Sequence, residues 1–213
     1  MTAMKDVVPA PAGKVRSAKG DRTKQSIEDA ARIVFDKAGY LNARVQDIAA
    51  EAGLSNGAFY RYFTDKRSVM LSIVSKMLDT AFGLARSPWS ASDPIDSVYQ
   101  TTERYLTFYA QNADLFRVLN EVSQTDAEVE QLWSDFRVAT MHRIERMLER
   151  AQGQGLIREG LDFPVVAALL TAMTDHYAYL WLVVKRVPDR EIPIVSRQIA
   201  DLWSQGVFSK LPT

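Results

Sequence analysis

Side chains that can bind nucleic acid are concentrated between positions 44 and 66 of the 213-residue chain. Asn56, Tyr60 and Arg61 place an amide, a phenol and a guanidinium within little more than one helical turn. Amides and guanidinium groups can hydrogen-bond base edges, and phenols and cations can contact phosphate oxygens. The residue types therefore favour DNA recognition. The candidate contacts are Arg44, Gln46, Ser55, Asn56, Gly57, Tyr60, Arg61, Tyr62 and Lys66.

Two short helices on either side of Gly53 would hold these side chains in place. Glycine tolerates the left-handed conformation that ends a helix, and Ser55 is a favourable N-cap for the next one. The apolar residues available for the seam between the two helices are Ile48, Ala49, Leu54 and Phe59. The pattern predicts a helix-turn-helix motif whose second helix enters a DNA groove. Gly57 would let its backbone approach the bases closely.

The strings that carry this motif, residues 47–55 (DIAAEAGLS) and 57–66 (GAFYRYFTDK), resemble the N-terminal domain of the TetR family of bacterial transcriptional regulators. The resemblance spans residues 22–75. It implies a homodimer that binds a DNA operator. Arg44 and Val45 depart from the threonines that many members place there, and a cation could replace the usual hydroxyl contact to phosphate. Tyr62 occupies a common histidine position.

The charge of the chain is zero overall but unevenly placed. Residues 1–67 hold 12 Lys and Arg against 8 Asp and Glu, a net charge of +4, and residues 68–213 hold 14 against 18, or −4. The basic part carries the motif, as attraction to phosphate requires. An apolar content of 47% is enough for a buried core.

Helical periodicity continues along most of the chain, and no alternating β-branched run suggests a sheet. The sequence predicts an all-α protein of about nine helices. Residues 1–21 form a predicted flexible basic arm, either a bystander or a contact to DNA. Residues 22–67 form the predicted three-helix DNA-binding domain, and residues 68–213 the effector-binding and dimerisation domain. Besides the motif helices, expected helices cover residues 22–38, 66–85, 94–111, 113–123, 125–153, 162–185 and 191–208.

The last two helices carry more apolar surface than one subunit can cover. The helix at 162–185 is apolar almost all round, and such a helix cannot face water on any broad side. A four-helix interface with a second subunit would cover both helices, with Val195 and Leu202 near its centre. A symmetric dimer also matches the two-fold geometry of a palindromic operator.

Aromatic and methionine residues that are not needed for this interface could line an effector pocket. Met and aromatic side chains between bundle helices are typical of adaptable apolar sites, although ordinary core packing is the alternative for each of them. The candidates are Tyr105, Phe108, Phe116, Trp133, Phe136, Met141, Met173, His176, Tyr177 and Trp181, with Asn120, Thr140 and Thr174 as further polar groups. Residues 128–136, 177–181 and 201–203 resemble the ligand domain of mycobacterial ethionamide-resistance repressors, which implies a lipid-like effector.

Enzyme chemistry finds little support. The chain has no cysteine, and its two histidines, His142 and His176, do not form a pair at metal-ligand spacing. We expect His142 at the surface and His176 in the interior. No phosphate-binding glycine loop or nucleophile elbow is present. We therefore expect no catalytic residue, metal or cofactor.

No apolar run approaches the roughly 20 residues that cross a bilayer, so we expect a cytoplasmic protein without membrane contact. The sequence predicts a ligand-responsive transcriptional regulator, a repressor released from its operator by a hydrophobic small molecule. The alternative is a small-molecule binding protein, a carrier or sensor, whose DNA contact is vestigial.

Overall fold

The computed structural model describes residues 18–84, 90 and 92–209, and its regular structure there is helical apart from one antiparallel bridge between Ile157 and Phe208. The helices are α1 (Ala18–Ala38), α2 (Val45–Glu51), α3 (Asn56–Phe59), α4 (Lys66–Leu84), α5 (Pro94–Gln111), α6 (Ala113–Ser123), α7 (Ala127–Gly153), α8 (Phe163–Ala178) and α9 (Ile192–Val207). A π-helical turn at Tyr179–Val183 continues α8. For this part of the chain, the predicted all-α fold of nine helices is confirmed.

Two helix ends differ by more than two residues from their predicted positions. α1 begins at Ala18, so residues 18–21 of the proposed arm are helical, and Asp21 lies in the first turn, where a carboxylate stabilises the helix. Residues 1–17 of the arm lie outside the described residues. The helix predicted for 162–185 keeps α-helical geometry only to Ala178, and the segment after its π-helical turn includes Lys185 at a φ of +57°.

The first three helices surround a small apolar core. Ile27 and Phe35 of α1, Ile48 of α2 and Phe59 of α3 are all buried. Tyr40, after the end of α1, packs its ring edge-on against Phe35 at 5.3 Å. This core fixes the angle between α2 and α3, the two helices of the predicted motif.

The turn between α2 and α3 depends on Gly53, whose φ is +67°. Gly53 donates its backbone N–H to Ala50 O at 3.0 Å, and Leu54 donates its own to Ala49 O at 2.8 Å. These two bonds form the glycine-terminated end of a Schellman motif, which satisfies carbonyls that the helix leaves unpaired. The predicted role of Gly53 is therefore confirmed.

The remaining helices form a bundle in which α5 packs along α9 and α7 packs along α8. α4 and α6 lie between this bundle and the first three helices. Arg32 of α1 bridges to α6 by two hydrogen bonds to the Asp114 carboxylate, at 2.5 and 2.6 Å. Paired arginine–carboxylate bonds fix orientation as well as distance, so the two parts of the chain are aligned at this point.

A second bridge joins α4 to α7. Arg67 donates to both oxygens of Asp126, with the Nη2–Oδ1 bond at 2.7 Å, and also to Glu128. Asp126 is the N-cap of α7 as well, because its Oδ1 accepts the backbone N–H groups of Glu128 and Val129. The first turn of α4 is thus bonded to the start of α7.

Candidate DNA-binding surface and effector cavity

Seven of the nine predicted DNA contacts form an exposed surface on α2 and α3. These residues are exposed because α3 is short. It buries Phe59 on one side and leaves its other side open to solvent. The exposed residues are Arg44, Gln46, Ser55, Asn56, Gly57, Tyr60 and Arg61. The phenol of Tyr60 is 56% exposed.

The polar groups on this surface have spare hydrogen-bonding capacity. In the part of the chain that the structure describes, the side chains of Gln46, Asn56 and Arg61 form no hydrogen bond or ion pair. Arg44 is the N-cap residue of α2 but its side chain makes no capping bond. An amide or a guanidinium in this state can bond to base edges or phosphates without first breaking an internal contact.

Ser55 has a local role. Its Oγ accepts the backbone N–H of Ala58 at 3.2 Å, so the hydroxyl caps α3 as predicted. Tyr62 is half-buried, and its ring packs against the apolar core. Both residues therefore contribute to the shape of the surface.

Lys66, predicted to contact DNA, is bonded to backbone carbonyls of the chain itself. Its Nζ donates to the carbonyl oxygens of Tyr40, Leu41 and Ala43 at 2.8, 2.8 and 3.0 Å. An ammonium has three donors, and all three are occupied. The cation also lies 4.9 Å from the centre of the Tyr40 ring. Lys66 therefore fixes the loop after α1 to the start of α4.

A cavity of about 370 Å³ lies in the bundle between α5, α7 and α8. Ala81 of α4 and Trp203 of α9 complete its wall. Of the predicted pocket residues, Tyr105 and Phe136 line it, together with the polar candidates Thr140 and Thr174. Its size is in the range of small-molecule sites.

A polar network crosses one side of this cavity. Tyr105 donates its hydroxyl to Asp175 Oδ1 at 3.0 Å, and Arg137 donates Nη2 to Asp175 Oδ2 at 3.0 Å. Burial, together with the negative charge of Asp175, raises the pKa of Tyr105 well above its usual value. The phenol therefore stays protonated and acts as a hydrogen-bond donor within the wall.

Two predicted pocket residues belong to the apolar core. Phe116 is fully buried and stacks on Tyr109 with ring centres 3.6 Å apart. Trp181 is also buried, and its Nε1 donates to Asp189 at 3.1 Å. Neither ring reaches the cavity, because neighbouring side chains already fill the space around it.

Two others lie on a different side of α7. Trp133 and Met141 line a smaller recess of about 240 Å³ with Asn120 of α6. Trp133 stacks on Phe136 at 5.4 Å, and the guanidinium of Arg137 lies 4.2 Å from the Trp133 ring. Arg137 borders both the recess and the larger cavity.

The last four candidates also lie outside the cavity wall. Phe108 and Tyr177 are half-buried and pack against the core. Met173 and His176 are exposed on the outer side of α8. The predicted interior position of His176 is therefore wrong, because Asp175 faces inward and the next residue of a helix points about 100° away. His142 is exposed, as predicted.

The cavity contains residues that the aromatic pattern did not indicate. On α7 the lining positions include Phe136, Thr140, Arg143, Met147 and Arg150, spaced three or four residues apart along one face. That spacing was visible in the sequence. Because arginines do not resemble apolar pocket residues, Arg143 and Arg150 are not among the predicted pocket residues.

An apolar surface remains uncovered on the outside of α8 and α9. It consists of Val165, Leu169 and Met173 on α8 and Ile194 and Leu202 on α9. Leu202 is 59% exposed, whereas Val195, predicted to share this face, is only 6% exposed and lies in the core of the chain. The predicted position of Val195 is corrected accordingly.

Among the described residues, no helix is long and apolar enough to cross a membrane. In the same ranges, no three His, Asp or Glu side chains lie close enough together to hold a metal ion.

Comparison with known proteins places the DNA-binding helices in a recognised sequence family. Residues 27–73 match the family described as bacterial regulatory proteins, tetR family. The chain is 22% identical to the fatty acid metabolism regulator protein of Bacillus subtilis (strain 168), over 86% of this chain and 95% of that protein. It is also 22% identical to the HTH-type transcriptional regulator EthR of Mycolicibacterium smegmatis, over 92% of both chains.

The fold is also found among solved structures. SmeT, the repressor of the Stenotrophomonas maltophilia multidrug efflux pump SmeDEF, superposes with a TM-score of 0.70 at 20% identity, over 89% of this chain and 96% of that one. These relatives are transcriptional regulators, which fits the expectation that the chain is not an enzyme.

Proposed function

Because this chain is a DNA-binding transcriptional regulator of the tetR family, we propose that it represses transcription as a homodimer and leaves its operator when an apolar small molecule fills the cavity. The observation that carries this proposal is the position of α4. Lys66, at its start, is bonded to the DNA-binding domain, and Ala81, about 22 Å further along the helix, lines the cavity. A ligand that moves one end of α4 moves the other.

The proposed DNA contacts fall into two groups. Gln46, Asn56 and Arg61 read base edges, since their side chains are exposed and have no partner among the residues that the structure describes. Arg44 and Tyr60 position the motif on phosphates. Gly57 adds no side chain between backbone and DNA.

The proposed dimer forms through the apolar surface of α8 and α9. Five exposed apolar side chains on α8 and α9 are costly in water, and a second copy of the same surface would bury them. A two-fold axis there would place two α3 helices on one side of a palindromic operator. Their separation would have to match one DNA turn, about 34–36 Å.

Release of the operator is proposed as a shift between two arrangements of the dimer. A ligand between α5, α7 and α8 would push the end of α4 and change the separation of the two α3 helices. Strong derepression requires the ligand to favour the released arrangement by about 5.5 kcal/mol, which moves a balance from 1:99 to 99:1. The proposed partners are chromosomal DNA and a small molecule, so the proposed location is the cytoplasm, with no membrane contact.

The test combines footprinting and ligand binding on the full chain. We expect protection of a palindrome upstream of its own coding sequence, and loss of that protection when dodecanol is added as an apolar probe. Ligand binding without any specific DNA binding would support a sensor with vestigial DNA contact and would contradict the repressor.

Two matched variants locate the ligand. Thr140→Phe places a ring in the cavity and should weaken dodecanol binding about tenfold or more, whereas Ala139→Phe, at a neighbouring position that does not line the cavity, should leave it unchanged. Equal effects of the two substitutions would place the ligand elsewhere.

A further inference from the structure

The charges that line the cavity are unbalanced. Its wall contains four arginines, Arg137, Arg143, Arg146 and Arg150, and a single carboxylate, Asp175. Asp175 pairs with Arg137, so arginines outnumber carboxylates four to one in the lining. Residues 68–213 carry a net charge of −4. Positive charge is therefore gathered at the cavity against the overall charge of the surrounding domain.

Two of these arginines, Arg146 and Arg150, lie toward the end of the cavity opposite the Arg137–Asp175 pair. The lining residues of α7 run from Phe136 to Arg150, a distance of about 21 Å along the helix axis. Tyr105, Phe136 and the Arg137–Asp175 pair occupy one end. The other end is bordered by Arg146 and Arg150.

The individual arginines differ in their contacts. Arg143 donates Nη1 to the carbonyl of Phe82 at 2.8 Å, and its guanidinium lies 3.8 Å from the Phe82 ring. It is held between α7 and α4. Arg146 and Arg150 are exposed, one helical turn apart, and among the described residues neither forms an ion pair or a hydrogen bond through its side chain. Their donors are available to a ligand.

From this arrangement we infer that the effector is an amphiphile with one acidic head group, a carboxylate or a phosphate, bound by Arg146 and Arg150 at the cavity mouth. Its apolar body lies along Phe136, Ile144 and Leu170 inside the cavity. The inference rests on the proposed ligand-responsive function and adds the charge of the ligand. Guanidinium groups pair with carboxylates and phosphates through two parallel hydrogen bonds, and an apolar wall limits the screening of that attraction.

The test uses three probes with the same alkyl chain and different head groups. Dodecanoate and dodecyl phosphate are anionic at neutral pH, and dodecanol is neutral. Titration calorimetry on the full chain should show at least one of the anionic probes binding about tenfold more tightly than dodecanol, as a charge-assisted hydrogen bond predicts. The relative strength of the two anionic probes distinguishes a carboxylate from a phosphate ligand.

The double variant Arg146→Gln/Arg150→Gln should bind the anionic probes no more tightly than dodecanol, with dodecanol binding unchanged. Both residues are exposed, so the fold should tolerate the substitutions. Arg104→Gln is the matched control, because Arg104 is an exposed arginine of α5 that does not line the cavity. In the unmodified chain, added salt should weaken dodecanoate binding and spare dodecanol binding.

The outcomes separate the inference from the function on which it rests. If dodecanol binds as tightly as both anionic probes, or if an anionic preference survives in the double variant, the acidic head group is wrong and the apolar cavity site stands. If none of the three probes binds, the ligand site in the proposed function fails together with this inference.

Discussion

The candidate DNA-binding surface comes from one continuous stretch, residues 44–61, whereas the cavity collects side chains from five helices between Ala81 and Trp203. The surface is shaped by local backbone features, namely the Gly53 turn and the Ser55 cap. The cavity exists only because α4, α5, α7, α8 and α9 pack at particular distances. A substitution on the DNA-binding surface should therefore change DNA affinity without changing the cavity. A substitution in the cavity wall should also change how the surrounding helices pack.

The largest effect is expected from a substitution that breaks the dimer but leaves the DNA-binding surface and the cavity of each subunit intact. Leu202→Glu places a charge on the uncovered face of α9, where a partner subunit would have to desolvate it. The variant should be monomeric and should lose more than about 100-fold in operator affinity while still binding dodecanol. Light scattering and calorimetry measure both properties.

The control for this variant is Val138→Glu, which changes a half-exposed apolar residue of α7 outside the proposed dimer face. It should remain a dimer. A dimeric, DNA-competent Leu202→Glu protein would rule out this face as the interface.

A substitution at Lys66 tests whether the stability of the fold depends on contacts outside residues 44–61. Lys66→Met removes three hydrogen bonds to backbone carbonyls. The free energy of unfolding should fall by about 1.5–3 kcal/mol, the value for a single charge-assisted bond. The loss should not reach three times that value, because water can bond to the exposed carbonyls in the variant. Urea unfolding measures the loss.

The salt dependence of operator binding should be unchanged in Lys66→Met. A slope reduced by about one unit per subunit would return Lys66 to the phosphate contacts.

A substitution on α3 should affect one site only. Asn56→Ala should cost about 1–3 kcal/mol of operator affinity, concentrated at one base position if the amide forms two bonds with a base. Stability and dodecanol affinity should not change, since the side chain has no partner among the described residues. An equal loss across all operator variants would make Asn56 a phosphate contact.

The smallest expected effect is a pH dependence at the bridge between the two regions. The hydrogen bonds from Arg67 lower the pKa of Asp126 from 3.8 to about 2. A lowered pKa stabilises the folded state at all pH values above about 4 and loses this effect as the pH falls through about 2. Asp126→Asn keeps a capping acceptor but removes the charge.

The difference in urea midpoint between the unmodified chain and Asp126→Asn should therefore shrink from about pH 5 to about pH 2. A constant difference over this range would show that the ion pair does not contribute to stability.

The DNA-binding surface was largely predictable from the sequence because its determinants are local. A glycine that must adopt a positive φ and a serine that must cap a short helix identify themselves by type and spacing. The internal bonds of Lys66 are not predictable in this way. A long cation can reach phosphate or backbone carbonyls equally well, and the loop that captures it comes from a position more than twenty residues earlier.

The cavity was predictable only in part. In the sequence, Phe116 and Trp181 cannot be distinguished from Phe136, since all three are aromatic residues on apolar helix faces. Only the packing of neighbouring helices determines which ring lines the cavity. On an almost uniformly apolar helix such as α8, the pattern does not tell the inner face from the outer one. This explains why His176, predicted in the interior, is exposed. On α9, Val195 and Leu202 were both predicted at the dimer face, but only Leu202 is exposed there.

The Asp126 carboxylate serves two helices at once, since it closes the first turn of α7 and holds the first turn of α4 through Arg67. Whatever weakens one of these contacts alters the geometry of the other.

Coupling between two binding sites is reciprocal, so operator DNA must lower the affinity for the effector by the factor with which the effector lowers the affinity for DNA. A repressor occupied on the chromosome would thus respond at a higher effector concentration than the same protein free in solution.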